Sequence, residues 1–193
     1  NVVPILDYSA VVGGCVSCST ALGAKLAGVT PSGTMPHAMI LCIGDTVKSV
    51  QLFDKHMPPE VPRIALVDTF QDEAQESIAV ANALQGKLRG VRLDTPRERG
   101  RVTTELVEEV RARLDQSGYQ RVEIFVSGGL TLERVKEFVE SGCPVDAFGI
   151  GTEISSAKPN NYTADIHEID GKPLAKRGRI PGVQNKPKLQ PLF

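Results

Sequence analysis

Apolar and polar positions along this chain follow two alternating periods. A continuous apolar run at Arg63–Thr69 (RIALVDT) predicts a buried strand, and Leu88–Asp94, Val122–Val126 and Val145–Ile150 predict further strands. Between them, Gln71–Leu84, Gly100–Gln116 and Thr131–Ser141 carry apolar residues at helical spacing. Upstream, Met39, Leu41, Cys42, Val47, Val50 and Phe53 predict a helix over Ala38–Asp54, which the Pro58-Pro59-x-x-Pro62 cluster stops. Gly14–Ala27 is small and apolar and reads as a closely packed helix, and Val29–Thr34 reads as a strand. The end signals agree with these elements. Asp72, Glu73 and Glu76 sit at the positive start of their helix, Thr131 is placed to cap the next, and Gly118 and Gly142 fall where helices close.

About five β/α units in series predict a parallel sheet with crossover helices. The pattern changes after residue 153. IHEIDGKPLAKRG, with Asp170-Gly171 between two alternating stretches, predicts a β-hairpin, and Ile180–Phe193 reads as an extended tail rich in Pro, Gln and Lys. The expected organisation is therefore an α/β domain over 1–153, followed by a hairpin and tail over 154–193.

Composition narrows the function classes. A length of 193 residues, 41% hydrophobic and 23% charged, suits one soluble globular domain. A net charge of −1, with no basic patch interleaved with aromatics, argues against nucleic acid as a partner. No apolar run is long enough to span a bilayer, which argues against a membrane. Four Cys scattered through apolar surroundings read as reduced thiols, consistent with a cytoplasmic protein. Cys15-Val16-Ser17-Cys18 has no partner pair, so both thiols read as helix-packing residues and no metal-ligating set is expected. The chain opens Asn1-Val-Val-Pro without Met, the expected mark of a processed product or a piece of a longer polypeptide.

The candidate chemistry lies where the strands end. These ends read GTMPH (Gly33–His37), VDTF (Val67–Phe70), RLDTP (Arg92–Pro96), VSGG (Val126–Gly129) and GIGT (Gly149–Thr152). That edge of a parallel β/α fold is where ligands bind. Ser127-Gly128-Gly129 and Gly149-Ile150-Gly151-Thr152 are suited to cradling phosphate, because glycines let backbone N–H groups approach an anion. Asp68 and Asp94, each followed by a Thr (Thr69 and Thr95), could hold ribose hydroxyls, magnesium or a ring nitrogen, or could cap the helices that follow. Arg92 lies two residues from Asp94 and so on the same face of its strand. It could clamp a carboxylate or phosphate, or pair internally with Asp94. Of the three His, only His37 falls at such a corner.

Taken in order, GTMPHA, ALVDTF, VRLDTP, VSGGL and FGIGT resemble the nicotinate phosphoribosyltransferases, with GKPLAKRGRIPG (Gly171–Gly182) similar to their C-terminal segment. The resemblance implies an incomplete parallel β/α barrel of the type II phosphoribosyltransferase kind. The implied reaction moves the ribosyl 5-phosphate of phosphoribosyl pyrophosphate, with magnesium, onto nicotinate in NAD biosynthesis, with ATP as a potential co-substrate. It implies catalytic roles for His37, Asp68 and Asp94, with His37 at the position phosphorylated in ATP-coupled members. It further implies that Arg92 holds the acidic pyridine and that Thr34 and Thr95 line the pocket. Ser127, Gly128, Gly129, Gly149, Gly151 and Thr152 would bind the 5-phosphate. The family's N-terminal domain has no counterpart in this sequence, so the resemblance implies association with a missing segment or a second copy. Enzymes acting on nicotinamide or quinolinate, and a non-catalytic phosphate-binding subunit, are the alternative readings.

Overall fold

A computed structural model describes residues 2–158 and 163–182 and divides the chain into two units, residues 1–157 and 158–193. The first unit opens with four helices: α1 (Val3–Val12), α2 (Ala21–Ala27), α3 (His37–Ile43) and α4 (Thr46–His56). Strands and helices then alternate as β1 (Arg63–Leu66), α5 (Glu73–Leu84), β2 (Leu88–Leu93), α6 (Thr104–Gln116), β3 (Glu123–Val126), α7 (Leu132–Glu140), β4 (Ala147–Phe148) and the short α8 (Thr152–Ser155). The sheet is parallel throughout in the order β1-β2-β3-β4, with register pairs Ala65–Val91, Val91–Ile124 and Phe125–Ala147. Each strand lies beside its predecessor. That sequential order is the arc of a β/α barrel, whereas a doubly wound sheet reverses direction at a switch point. The expected incomplete barrel is the fold observed.

The apolar runs explain the layers. All four residues of β1 are buried, as a strand covered on both faces requires. Leu66, Val91, Leu93, Ile124 and Val126 from the strands meet Val80, Ala81 and Leu84 of α5, Val107, Val110 and Leu114 of α6, and Phe138 of α7. Burying each large side chain of this set contributes about 1.5–3 kcal/mol. The lower end of the sheet is closed by Arg63. Its guanidinium donates to the carbonyls of Asp54, Met57, Pro58 and Val61 and pairs with Asp54 at 2.9 Å. One buried cation thereby satisfies the carbonyl end of α4 and the proline-rich turn after it.

Three expected elements differ in the structure. The helix expected over Gly14–Ala27 begins only at Ala21, where Thr20 Oγ1 accepts from Gly23 N. Residues before it form a loop fastened to α1, with Asp7 Oδ2 accepting from Thr20 N at 2.6 Å. Cys15 is therefore exposed, and Cys18 is buried in a loop instead of packing within a helix. The strand expected over Val29–Thr34 does not form. Pro31 and Pro36 remove ladder donors, and the segment's neighbour is a loop, joined through Ser32 N to Cys18 O at 2.9 Å. The helix expected over Ala38–Asp54 is two helices. Gly44, at φ +80°, ends α3, and Asp45 Oδ1 accepts from Lys48 N to start α4.

The second unit contains an antiparallel hairpin, β5 (Glu168–Ile169) and β6 (Lys172–Pro173). Asp170 (φ +48°) and Gly171 (φ +72°) make its turn, as the Asp-Gly pair predicts. Most of the expected tail, residues 183–193, lies outside the described residues. No helix among the described residues is long and apolar enough to cross a membrane.

Candidate functional site

Backbone pairing continues past the formal strand ends and aligns the polar loops. Val67 N donates to Arg92 O, Ser127 N to Leu93 O at 2.9 Å, and Gly149 N to Val126 O at 2.8 Å. Asp68, Asp94, Ser127 and Gly149 consequently leave the sheet along one edge. The first motif reaches that edge by another route. With no strand preceding it, GTMPH is an extended loop anchored by buried Met35, and His37 is the first residue of α3.

His37 joins the two aspartates. Its Nε2 lies 3.1 and 3.2 Å from the oxygens of Asp68, and its Nδ1 lies 3.8 Å from Asp94 Oδ2. Asp68 has 0% of its side chain exposed while His37 keeps 40%, so the imidazole stands between a buried carboxylate and solvent. Burial pushes the Asp68 carboxyl above the ordinary carboxylate value; His37 opposes that rise and Asp94 adds to it. Arg92 approaches Asp94 Oδ2 at 3.8 Å and the Met35 carbonyl at 3.5 Å. Its Nε is buried without a hydrogen-bond partner, as is Thr34 Oγ1. Two orphaned polar atoms beside a charged cluster are costly unless a ligand satisfies them.

Ser127 extends the group to the third strand, its hydroxyl donating to Asp94 Oδ1 at 3.0 Å. Gly128 follows with φ +93°, and a Cβ there would lie 2.8 Å from that same oxygen. The loop thus needs glycine for both its backbone and its approach to Asp94. Gly149 backs Ser127 from β4, where an added Cβ would lie 3.2 Å from Ser127 Cβ. The structure therefore brings together His37, Asp68, Asp94, Arg92, Ser127, Gly128 and Gly149, with Gly129 next along the loop. Gly151 and Thr152 lie at the start of α8, and open space surrounds the position of a Gly151 Cβ.

Thr95 is turned elsewhere. It is buried, and its hydroxyl donates to Glu73 Oε1 at 2.7 Å. Glu73 also pairs with Arg99 at 3.1 and 3.2 Å. One turn further along α5, Glu76 Oε1 accepts from Thr46 Oγ1 and from the backbone N–H groups of Phe70 and Gln71. Two buried carboxylates of α5 thus fasten the loops that follow Asp68 and Asp94. Sequence reasoning reads Glu73 and Glu76 only as favourable charges near a helix start. Their spacing of three residues puts both on one helical face, which was the available signal that they act side by side, although each holds its own partners.

The donor set bears on metals. Among the described residues, no three His, Cys, Asp or Glu side chains form a metal-binding group. Asp68 turns both oxygens to His37, leaving Asp94 as the more available carboxylate. Such a set fits magnesium carried mainly by substrate phosphates, which takes only one or two protein carboxylates.

The chain matches, over residues 1–164, the family described as "Quinolinate phosphoribosyl transferase, C-terminal domain", and it belongs to that family. It is 31% identical over 147 residues to the nicotinate phosphoribosyltransferase pncB2 of Mycobacterium tuberculosis, an alignment covering 75% of this chain and 30% of that protein. Its structure is similar to that of nicotinate-nucleotide pyrophosphorylase from Pyrococcus furiosus. The TM-score is 0.80 at 50% identity, across 94% of this chain and 46% of the other. A human nicotinic acid phosphoribosyltransferase shares the fold, with TM-score 0.51 and 19% identity across 75% of this chain and 39% of that one. The chain thus spans less than half the length of each of these relatives.

Proposed function

We propose that this member of the family takes part in transfer of the ribosyl 5-phosphate of phosphoribosyl pyrophosphate to nicotinate. The products are nicotinate mononucleotide and pyrophosphate, in NAD biosynthesis. The observation that carries the reading is the convergence of His37, Asp68, Asp94, Arg92 and Ser127 at one sheet edge, beside the glycine loop at 127–129. The relative named for nicotinate, at 31% identity, supports this pyridine as the acceptor; the 50%-identical neighbour is named for the nucleotide, which either pyridine yields.

The residues divide the work by their chemistry. Backbone N–H groups of the Ser127–Gly129 and Gly149–Thr152 loops receive the 5-phosphate. Asp94, which faces both His37 and Arg92, would lie on the ribose side of the pocket and hold magnesium, whose charge would neutralise a departing diphosphate. Departure leaves positive charge on the anomeric carbon, and the Asp68 and Asp94 carboxylates favour that charge electrostatically. Arg92 directs its unsatisfied Nε toward an acidic ring substituent, fixing the ring nitrogen for attack. The chemistry rests on positioning and charge and needs no covalent protein intermediate. ATP coupling would act through His37, whose Nε2 is engaged by Asp68, leaving Nδ1 as the phosphoryl acceptor. The site is completed by a further segment or a second copy of the chain.

A second reading, quinolinate as acceptor, is favoured by the description of the matched family. One experiment separates the two. Phosphoribosyl pyrophosphate and magnesium are incubated with nicotinate or quinolinate, with and without ATP, in the presence of the remaining portion of the enzyme. Nicotinate mononucleotide from nicotinate is the expected product. Carbon dioxide release from quinolinate, with no turnover of nicotinate, favours the second reading. No product from either pyridine overturns both.

A further inference from the structure

Arg101 is the half-buried arginine whose charge the described residues leave uncompensated. Arg63, Arg89, Arg92, Arg99, Arg111, Arg134 and Arg179 each face a carboxylate within 4 Å. Among the described residues, Arg97, Arg113, Arg121 and Arg177 pair with no carboxylate but are exposed to solvent, where water solvates the charge. Arg101 is only partly exposed and, among the described residues, pairs with no carboxylate. Among the described residues its side chain donates to a neutral group, the carbonyl of Gly129, 3.1 Å from Nη1. That carbonyl belongs to the Ser127–Gly129 loop, and a Cβ built on Gly129 would lie 2.7 Å from the same Nη1.

The backbone is bent to deliver this guanidinium. Gly100 has φ +90° and Arg101 has φ +67°, two successive left-handed residues directly after the turn at Arg97–Arg99. A non-glycine residue in that region is costly, and such strain persists where the surroundings hold it. A glycine at 101 would remove the cost. An arginine there means that a strained position carries a long cation to the mouth of a glycine loop.

We propose that Arg101 is a ligand of the phosphate that enters the Ser127–Gly129 loop, swinging from the Gly129 carbonyl to make a charge-assisted hydrogen bond with a phosphate oxygen. The proposal rests on the phosphoribosyl reading and assigns that loop a side-chain cation besides its backbone N–H groups. The anion is a phosphate monoester, the 5-phosphate of the sugar. A diphosphate offers similar oxygens, so the two must be compared directly.

The test is calorimetric titration of the full chain, together with the remaining portion of the enzyme, with ribose 5-phosphate and, separately, with inorganic pyrophosphate, at low ionic strength. Arg101→Gln is expected to weaken ribose 5-phosphate about tenfold or more and leave pyrophosphate within about twofold, the loss of one charge-assisted hydrogen bond. Arg101→Lys keeps most of the affinity, because the charge remains. Arg101→Gly is expected to raise the melting temperature while lowering ribose 5-phosphate affinity, which separates ligand binding from a purely structural latch. Unchanged ribose 5-phosphate affinity in Arg101→Gln, or a loss confined to pyrophosphate, overturns the proposal. A fall in melting temperature with unaltered affinity in Arg101→Gly overturns it equally. If the unsubstituted chain takes up neither probe, the phosphoribosyl reading itself fails; if it binds and only the variants contradict, that reading stands without Arg101.

Discussion

His37 presents Nε2 to both oxygens of Asp68, at 3.1 and 3.2 Å, and the Asp68 side chain has no exposed surface. The pair therefore joins a partly solvated imidazole to a carboxylate held away from water. Burial raises the Asp68 pKa, so its charged form is less favoured in the fold than in the unfolded chain. For a group whose folded pKa exceeds its unfolded value, stability is fully present below the unfolded pKa. It falls as pH rises through the folded one.

Asp68→Asn removes that titration. The variant is expected to melt at a higher temperature than the parent at neutral pH, with the difference closing as pH falls below the ordinary carboxylate range. Thermal melts across that range check it. A variant less stable than the parent at neutral pH would show that attraction to His37 outweighs burial.

Arg92 tests the division of the pocket between ring and sugar. Arg92→Ala is expected to raise KM for the pyridine about tenfold or more, the effect of losing a charge-assisted hydrogen bond. KM for phosphoribosyl pyrophosphate should change far less. Equal increases would place Arg92 on both substrates and contradict the assignment.

Two glycines of the candidate phosphate loops should behave differently. Gly128→Ala forces a side chain to φ +93° and places Cβ 2.8 Å from Asp94 Oδ1. It is expected to cost about 1–3 kcal/mol of stability and to weaken ligand binding by displacing Asp94. Gly151→Asp meets open space, so stability should be near parental while the added carboxylate repels phosphate. Urea unfolding with ribose 5-phosphate titration reads both effects. Retained phosphate affinity in Gly151→Asp would make that loop a turn only.

Glu73 is expected to act on the site through the loop it fastens. Glu73→Ala strands the Thr95 hydroxyl and unpairs Arg99, at a cost of about 1–3 kcal/mol. Glu73→Gln should recover part of the stability through the Thr95 bond. A Glu73→Ala variant as stable as its parent, measured by urea unfolding, would show that the Thr95 loop is held by its backbone alone.

The repeating part of this protein could be read directly. Arg63–Thr69 is a continuous apolar run, Leu88–Asp94 and Val122–Val126 are strand-like segments, and each leads into polar residues, an order that places Asp68, Asp94 and Ser127 at one edge of a parallel sheet. The first 60 residues were less legible. Their helices are short, and their ends are set by contacts from elsewhere, such as Asp7 with Thr20, or by local breaks at Gly44-Asp45. GTMPH reaches the site without ending a strand, since Pro31 ahead of it and Pro36 within it remove ladder donors.

The sequence by itself determined the barrel's strand–helix alternation, the polar strand ends and the Asp-Gly hairpin, since these follow from local periodicity and turn chemistry. Only the tertiary structure decided the partners. Chain order cannot tell that Thr95 turns to Glu73, that Ser127 reaches Asp94, or that Arg101 lies against Gly129. Those pairings depend on which loops meet once the strands have assembled, and on which charges burial forces to find one another.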